Sequence, residues 1–135
     1  MGKSTKEWSR GKDISALLLR IVLGVSMILG HVLGKWSLLF SGNTIHFPDP
    51  FGFGSEITLG ITLFAELIGS CLLILGLLTR ISLIPLIGAM AVAVFIVHGG
   101  QAFGKIELPL LYLTGFVSVL FLGPGKISMD YFLKR

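Results

Sequence analysis

Four stretches of the chain are apolar over lengths that suit membrane-spanning helices. They cover residues 14–34, 57–78, 81–98 and 107–122, and more polar segments separate them. A helix rises about 1.5 Å per residue, so the second stretch covers about 33 Å, enough to cross the hydrocarbon core of a bilayer. The fourth stretch is short, and we expect its helix to begin before residue 107. The pattern predicts an all-α, polytopic membrane protein, an antiparallel bundle of four transmembrane helices.

Polar segments mark the limits of the membrane domain, which we predict to cover residues 14–131. Residues 1–13 and 132–135 are short basic tails in this interpretation. Residues 35–56 hold two prolines, several glycines and five aromatic residues, which argues against a long helix there. We expect this segment to be an aromatic loop at the outer membrane interface.

Individual residues predict where the helices begin. Asp13 or Ser15 is a candidate N-cap for the first helix. Pro85 and Pro109 are expected in the first turns of the third and fourth helices, where a proline removes no helical hydrogen bond.

Basic residues outside the predicted spans are distributed unevenly. Lys35 and Lys105 lie on one side of the membrane, and eight others lie on the opposite side, in the two tails and in the turn between the second and third spans. Those eight are Lys3, Lys6, Arg10, Lys12, Arg80, Lys126, Lys134 and Arg135. Because positive residues collect on the cytoplasmic side, we predict a multi-pass protein of the inner, or plasma, membrane with both termini in the cytoplasm.

The composition agrees with a membrane protein and excludes several other classes. Apolar residues make up 53% of the 135 residues and charged residues 13%, whereas soluble domains carry about 25% charge. The single cysteine, Cys71, cannot form an internal disulfide or a cysteine metal site. The net charge of +4 comes from residues at helix ends, so it does not indicate nucleic-acid binding.

Two charges fall inside the spans and need partners there. Glu66 lies near the middle of the second span, where a carboxylate is costly unless protein or water surrounds it. Helical rise places Arg20 of the first span about 9 Å from Glu66 in depth, so we expect the two to pair directly or through one polar group or water. Two alternatives stay open. Arg20 extends to the cytoplasmic headgroups, or Glu66 serves only the structure.

Polar and small residues follow one face of the first helix. At successive steps of four, three, four and four residues stand Arg20, Gly24, Met27, His31 and Lys35. This spacing predicts that they line the bundle interior. Leu18, Val22 and Leu29 are then expected to face lipid.

The same depth arithmetic predicts a polar path that widens toward the outer face. His98 comes to about the depth of His31, and Lys35 and Glu107 stand at the outer mouth. The histidines are alternatively only interfacial residues. Two histidines and a glutamate are potential metal ligands, but their spacing matches no compact ligand motif, so we predict no metal. Motifs for nucleotides, flavin and the common hydrolases are also absent from the sequence.

Several of these residues belong to stretches that resemble a known family. The stretches are Arg20 in the first span, HVLGK at 31–35, AELIGSCLLILGLLTR at 65–80 and GPGKISMD at 123–130. Together they resemble the DoxX family of small four-helix bacterial and archaeal membrane proteins, over roughly residues 14–131. That family takes its name from a subunit of an archaeal thiosulfate:quinone oxidoreductase and includes members linked to quinone and oxidative stress. The resemblance therefore implies a redox-linked membrane role.

The leading hypothesis is a redox-associated inner-membrane protein, a subunit or partner of a membrane oxidoreductase, that binds a quinone-like molecule in the bundle. Its catalytic residues are Glu66, which exchanges protons, and Arg20, which holds Glu66 charged or orients it. Its ligand-binding residues are His31, Lys35, His98 and Glu107. Electrons would come from a soluble or membrane partner, since the chain has no flavin motif. Whether the protein is itself an enzyme stays open.

Two other functions fit the same sequence. One is a non-enzymatic membrane assembly factor or scaffold, in which the polar core only fixes the fold. The other is a small carrier of protons or organic solutes. In each case the lipid bilayer is the surrounding partner, nucleic acid is excluded, and glycine-rich helix faces make a homo-oligomer conceivable.

Overall fold

The regular secondary structure of the described residues is entirely helical. The computed structural model describes the backbone of residues 2–133 and the side chains of residues 10–133, so the side chains of Lys3 and Lys6 and the whole of Lys134 and Arg135 lie outside the described residues. Four helices are long and apolar enough to cross a membrane: Arg10–Leu39, Ser55–Leu75, Thr79–Val97 and Phe103–Leu122. The prediction of an all-α, four-span membrane bundle is confirmed.

One turn of π-helix interrupts the first span, and a second one ends the third span. The elements in order are α1 (Gly2–Met27), a π turn (Ile28–Val32), α2 (Leu33–Leu39), α3 (Ser55–Leu75), α4 (Thr79–Val92), a second π turn (Ala93–Val97), α5 (Phe103–Leu122) and α6 (Met129–Phe132). A π turn holds an extra residue and changes which way the neighbouring side chains face, so both spans are re-aimed at the end of the bundle opposite the α3–α4 turn.

The four spans pack as a ring in which each contacts two neighbours. α1 packs on α3 and α5, and α4 packs on the same two helices from the other side. Short connections make consecutive spans antiparallel, so the described chain ends lie at the same end of the bundle. The core between the spans consists of Met27, Leu73, Leu83, Leu86, Met90, Tyr112, Phe116 and Val119.

The first span confirms the predicted inward and outward faces. Arg20, Gly24 and Met27 are buried, whereas Leu18, Val22 and Leu29 are exposed. The expected N-cap is wrong, because the helix already begins at Gly2. Asp13 lies inside α1, and its carboxylate accepts a hydrogen bond of 3.0 Å from the backbone N–H of Lys126.

The two prolines lie deeper in their helices than predicted. Pro85 is the seventh residue of α4 and Pro109 the seventh residue of α5. Each helix begins upstream of the apolar run that predicted it, at Thr79 and at Phe103. A proline in the second turn removes one helical hydrogen bond, a cost that the predicted first-turn positions would have avoided.

Candidate functional site

Arg20 is buried at the end of the bundle where α3 turns into α4. Its guanidinium donates hydrogen bonds to the carbonyl oxygens of Leu73 (3.5 Å), Ile74 (3.3 Å) and Ile127. The last carbonyls of a helix have no partner within the helix, so a buried cation there satisfies them. Arg20 thereby joins α1 to the end of α3 and to the segment that follows α5.

Asp130, in that last segment, caps the start of α4. Its carboxylate accepts hydrogen bonds from the N–H groups of Leu78 (2.8 Å) and Thr79 (3.0 Å) and from the Thr79 hydroxyl (2.8 Å). A carboxylate suits a helix N-terminus, where N–H groups are unpaired. Leu78 has a left-handed backbone with φ of 48°, a conformation that costs about 1–3 kcal/mol for a non-glycine residue. The Asp130 contacts hold it in place.

Gly76 fits between these two polar groups. It has φ of 67°, and the N–H of Leu77 bonds the carbonyl of Leu72 at 2.9 Å, which closes the helix in a Schellman motif. A Cβ at this position would collide with the Arg20 guanidinium and with Ser128. The sequence GLLTR is therefore the turn that receives both Arg20 and Asp130.

The predicted pair between Arg20 and Glu66 is wrong. Arg20 binds carbonyls at the α3–α4 turn, and Glu66 binds Lys35. The depth arithmetic treated the helices as equal, untilted rods and considered only side-chain partners. It took no account of backbone acceptors, which satisfy Arg20 at its own level.

Lys35 and Glu66 form a close ion pair inside the bundle. The Lys35 Nζ donates to both carboxylate oxygens of Glu66, at 2.7 Å to Oε1 and 2.6 Å to Oε2. The Glu66 side chain is 1% exposed and that of Lys35 is 17% exposed. The ammonium also lies 5.9 Å from the centre of the Phe47 ring, within cation–π range. Lys35 was predicted at the outer mouth, yet it reaches inward to the acid.

This ion pair lines a cavity of about 550 Å³ beneath the loop that joins α2 to α3. Its walls come from the halves of the four spans that lie nearest this loop, and most of them are apolar. The aromatic and proline side chains of the loop that line it are Phe47, Pro48, Pro50, Phe51 and Phe53. The polar side chains that line it are His31, Lys35, Thr58, Thr62, Glu66, His98 and Lys105.

Four of the six predicted site residues therefore line one cavity. His31 packs edge-on against Tyr112 with ring centres 5.3 Å apart. The Nδ1 of His98 lies 3.2 Å from Oε1 of Gln101. Glu107 is exposed, and neither it nor Arg20 is among the residues that line the cavity. Glu107 was predicted to bind the ligand and Arg20 to act on Glu66, and the geometry separates Glu107 from the cavity and Arg20 from Glu66.

The π turns carry the cavity's histidines. His31 lies within the first π turn, and His98 directly follows the second. π turns occur often at functional sites because they re-aim side chains at the cost of regular bonding. The sequence pattern did not predict either π turn, because apolar residues in a π turn and in a regular α-helix give the same pattern.

The loop over the cavity is fixed by Asp49, which sequence reasoning did not single out. Its carboxylate accepts hydrogen bonds from the Thr58 hydroxyl (2.7 Å), the Gly54 N–H (2.7 Å) and the Phe53 N–H (3.0 Å). The Thr58 hydroxyl, with the backbone N–H groups, holds the pKa of Asp49 below its usual range. A signal was present, since an aspartate a few residues before a helix is a frequent cap.

The cavity suits an organic ligand better than a metal ion. No group of three His, Cys, Asp or Glu side chains that could hold a metal occurs among the residues the structure describes. The apolar walls suit a ring or chain. Lys35 and the two histidines offer N–H donors to an oxygen, and Glu66 offers a proton acceptor.

Comparison with known proteins identifies a family and a relative. The family model DoxX matches residues 15–99, which include His31, Lys35, Glu66 and His98. A protein of Haemophilus influenzae strain Rd, described as "Uncharacterized protein", is 30% identical over 140 residues. The match covers 98% of this chain and 92% of that protein. No solved structure matches.

Proposed function

We propose that this chain, which belongs to the DoxX family, binds a quinone-like molecule in its outer cavity and serves a membrane oxidoreductase as a subunit or partner. The observation that carries the proposal is the Lys35–Glu66 ion pair on the wall of an otherwise mostly apolar cavity. A volume of about 550 Å³ lies within the usual range for small-molecule sites.

The ion pair supports recognition of a carbonyl or hydroxyl oxygen. A lysine ammonium has three N–H groups, and two of them donate to the two carboxylate oxygens of Glu66. The third is left to donate to a ligand oxygen in the cavity. His31 and His98 offer further N–H groups on the same cavity wall, while the Phe47, Phe51 and Phe53 rings contribute flat apolar surface.

Glu66 supplies the proton chemistry in this proposal. A quinone takes up two electrons and two protons when it is reduced to a quinol. The Lys35–Glu66 pair, which carries the lysine's proton, passes one proton to the ligand oxygen and takes up another from solvent, and the second proton of the quinol also comes from solvent. The electrons come from a partner protein, because the chain has one cysteine and no flavin motif. Arg20 has no part in this chemistry and instead stabilises the fold through its hydrogen bonds to backbone carbonyls.

Binding of a short-chain ubiquinone analogue to the purified protein tests the proposal. We expect saturable binding by calorimetry, and a quinone in lipid extracts analysed by mass spectrometry. Lys35→Met removes a charged donor, and such a hydrogen bond contributes about 1.5–3 kcal/mol, so Kd should rise about 10- to 100-fold. Glu66→Gln removes the charge that holds the Lys35 ammonium at the cavity wall, so it should also raise Kd.

Glu56→Gln is the matched control, since Glu56 is an exposed glutamate on the same helix and does not line the cavity. Its Kd should equal that of the unmodified protein. Absence of binding in a folded protein, or equal effects of Glu56→Gln and Glu66→Gln, would reject the quinone site. The scaffold function would then be the better account of the polar core.

A further inference from the structure

The segment after α5 has its polar residues inside and its apolar residues outside. Ser128 and Asp130 are buried, at 5% and 6% exposed. The large side chains before, between and after them are exposed: Ile127, Met129, Tyr131, Phe132 and Leu133. Phe132, at 77%, is among the most exposed large apolar side chains described. A segment that faced water would show the opposite pattern.

We propose that residues 127–133 form an interfacial anchor that inserts its apolar side chains among anionic phospholipid headgroups. The name interfacial anchor is used below for these seven residues. This proposal does not depend on the cavity, which lies at the other end of the bundle.

Hydrogen bonds fix the depth of the interfacial anchor. Asp130 is bonded to Leu78 and Thr79, and the Ile127 carbonyl to Arg20, so the segment lies level with the α3–α4 turn. That turn is the end of two spans, which places the segment at the membrane–water boundary. Seven helical residues would rise only about 10 Å, so the segment cannot cross the bilayer and must lie along its surface.

The exposed residues that flank the interfacial anchor are apolar or basic. The anchor follows α5, whose last residues Phe121 and Leu122 are exposed and continue the lipid-facing surface of that span. Lys126 and Arg80 are exposed beside it, and Lys134 and Arg135 follow in the sequence. Apolar and aromatic residues flanked by lysine and arginine are typical of helices that lie in an anionic leaflet. This continuity and this charge favour lipid over a soluble protein as the occupant.

Site-directed spin labelling of the full chain tests the depth. In a Cys71→Ser background, a label replaces Phe132 (Phe132→Cys), and the protein is placed in nanodiscs of phosphatidylcholine, alone or in equal parts with phosphatidylglycerol. We expect the label to collide with oxygen more than with a water-soluble nickel chelate, most strongly in the mixture. A label at Asn43 (Asn43→Cys), an exposed residue of the opposite loop, should collide more with nickel.

The preference of the protein for anionic lipid tests the role of the basic residues beside the interfacial anchor. The preference for phosphatidylglycerol, measured by native mass spectrometry, should fall about fivefold for Lys126→Gln, the factor that one basic residue near an anionic surface contributes. Nickel access at position 132 equal to that at position 43 would overturn the anchor. Spin–spin coupling between labels would show that a second copy covers the segment instead. An unchanged preference in Lys126→Gln would overturn the choice of anionic lipid.

Discussion

Arg20 and Glu66 are equally buried, since each residue is 1% exposed, but they have different kinds of partner. Arg20 binds backbone carbonyls in a region with no room for a Cβ at Gly76. Glu66 binds one side chain, Lys35, which lines a cavity. Burial of a charge therefore does not identify a site in this bundle. A buried charge satisfied by backbone holds helices together, whereas a buried ion pair beside open volume is available to a ligand.

The largest effect expected from this comparison is loss of stability on removal of Arg20. Arg20→Met leaves three carbonyls and the nearby Asp130 without their cation, which costs about 3–5 kcal/mol for a buried charge partner. Unfolding in detergent, followed by circular dichroism, measures the change. Arg80→Met is the matched control, because Arg80 is exposed at the same end, and it should alter stability by less than about 0.5 kcal/mol. Equal stability of the two variants would contradict the structural role of Arg20.

Gly76→Ala should give the next largest effect. Alanine at a left-handed position costs about 1–3 kcal/mol, and its Cβ would also push the Arg20 guanidinium off its carbonyls. Gly88→Ala is the matched control. Gly88 lies within α4 with no atom near its missing side chain, so alanine there should be neutral or stabilise by up to about 1 kcal/mol. Comparable unfolding curves for both variants would show that the turn tolerates a side chain.

The four spans were predictable because a long apolar run in the sequence is enough to identify a membrane-spanning helix. No knowledge of the contacts between helices is needed. The ends of the helices were less predictable. The first span continues through Lys35 and Trp36 to Leu39, since a helix continues while its backbone bonds are satisfied, whatever its polarity. The same reasoning misplaced Pro85 by one turn.

The partners of the buried charges were the least predictable part. Helical spacing correctly placed Arg20 on the inner face, but every residue has a carbonyl, so the sequence does not reveal which carbonyls lack partners. Asp130 and Thr79 stood in the stretches that carry the family resemblance, yet their bond joins positions 51 residues apart. Only the packed fold brings them together.

A double-mutant cycle on Lys35 and Glu66 sharpens the comparison further. Residues in contact couple by about 0.5–3 kcal/mol, so Lys35→Met and Glu66→Gln together should destabilise less than the sum of the two changes. The same cycle between Arg20→Met and Glu66→Gln should be additive within about 0.5 kcal/mol, because no hydrogen bond joins these two residues. Strong coupling in the second cycle and none in the first would restore the pair predicted from sequence.

The smallest expected effect is a pH response of the loop that covers the cavity. The folded loop favours the ionised form of Asp49, chiefly through the Thr58 hydroxyl, and so holds its pKa below the usual range. The contribution of this carboxylate to loop order is therefore complete above the unfolded pKa and is lost as pH falls through the lowered, folded pKa. Because Asp49 is partly exposed and lies in the loop, the effect should be confined to the loop and leave global stability unchanged.

Hydrogen exchange at the N–H groups of Phe53 and Gly54, both bonded to Asp49, measures this response directly. Protection, corrected for the intrinsic exchange rate, should fall as the carboxylate becomes protonated. Thr58→Val removes the main stabilising hydrogen bond, so the midpoint should move to higher pH, and Asp49→Asn should abolish the transition. If protection from exchange in the unmodified chain does not change with pH, the loop is held by its aromatic contacts and not by Asp49. If Asp49 does hold the loop, quinone affinity should weaken over the same acidic range, because Phe47, Phe51 and Phe53 would no longer be fixed over the cavity.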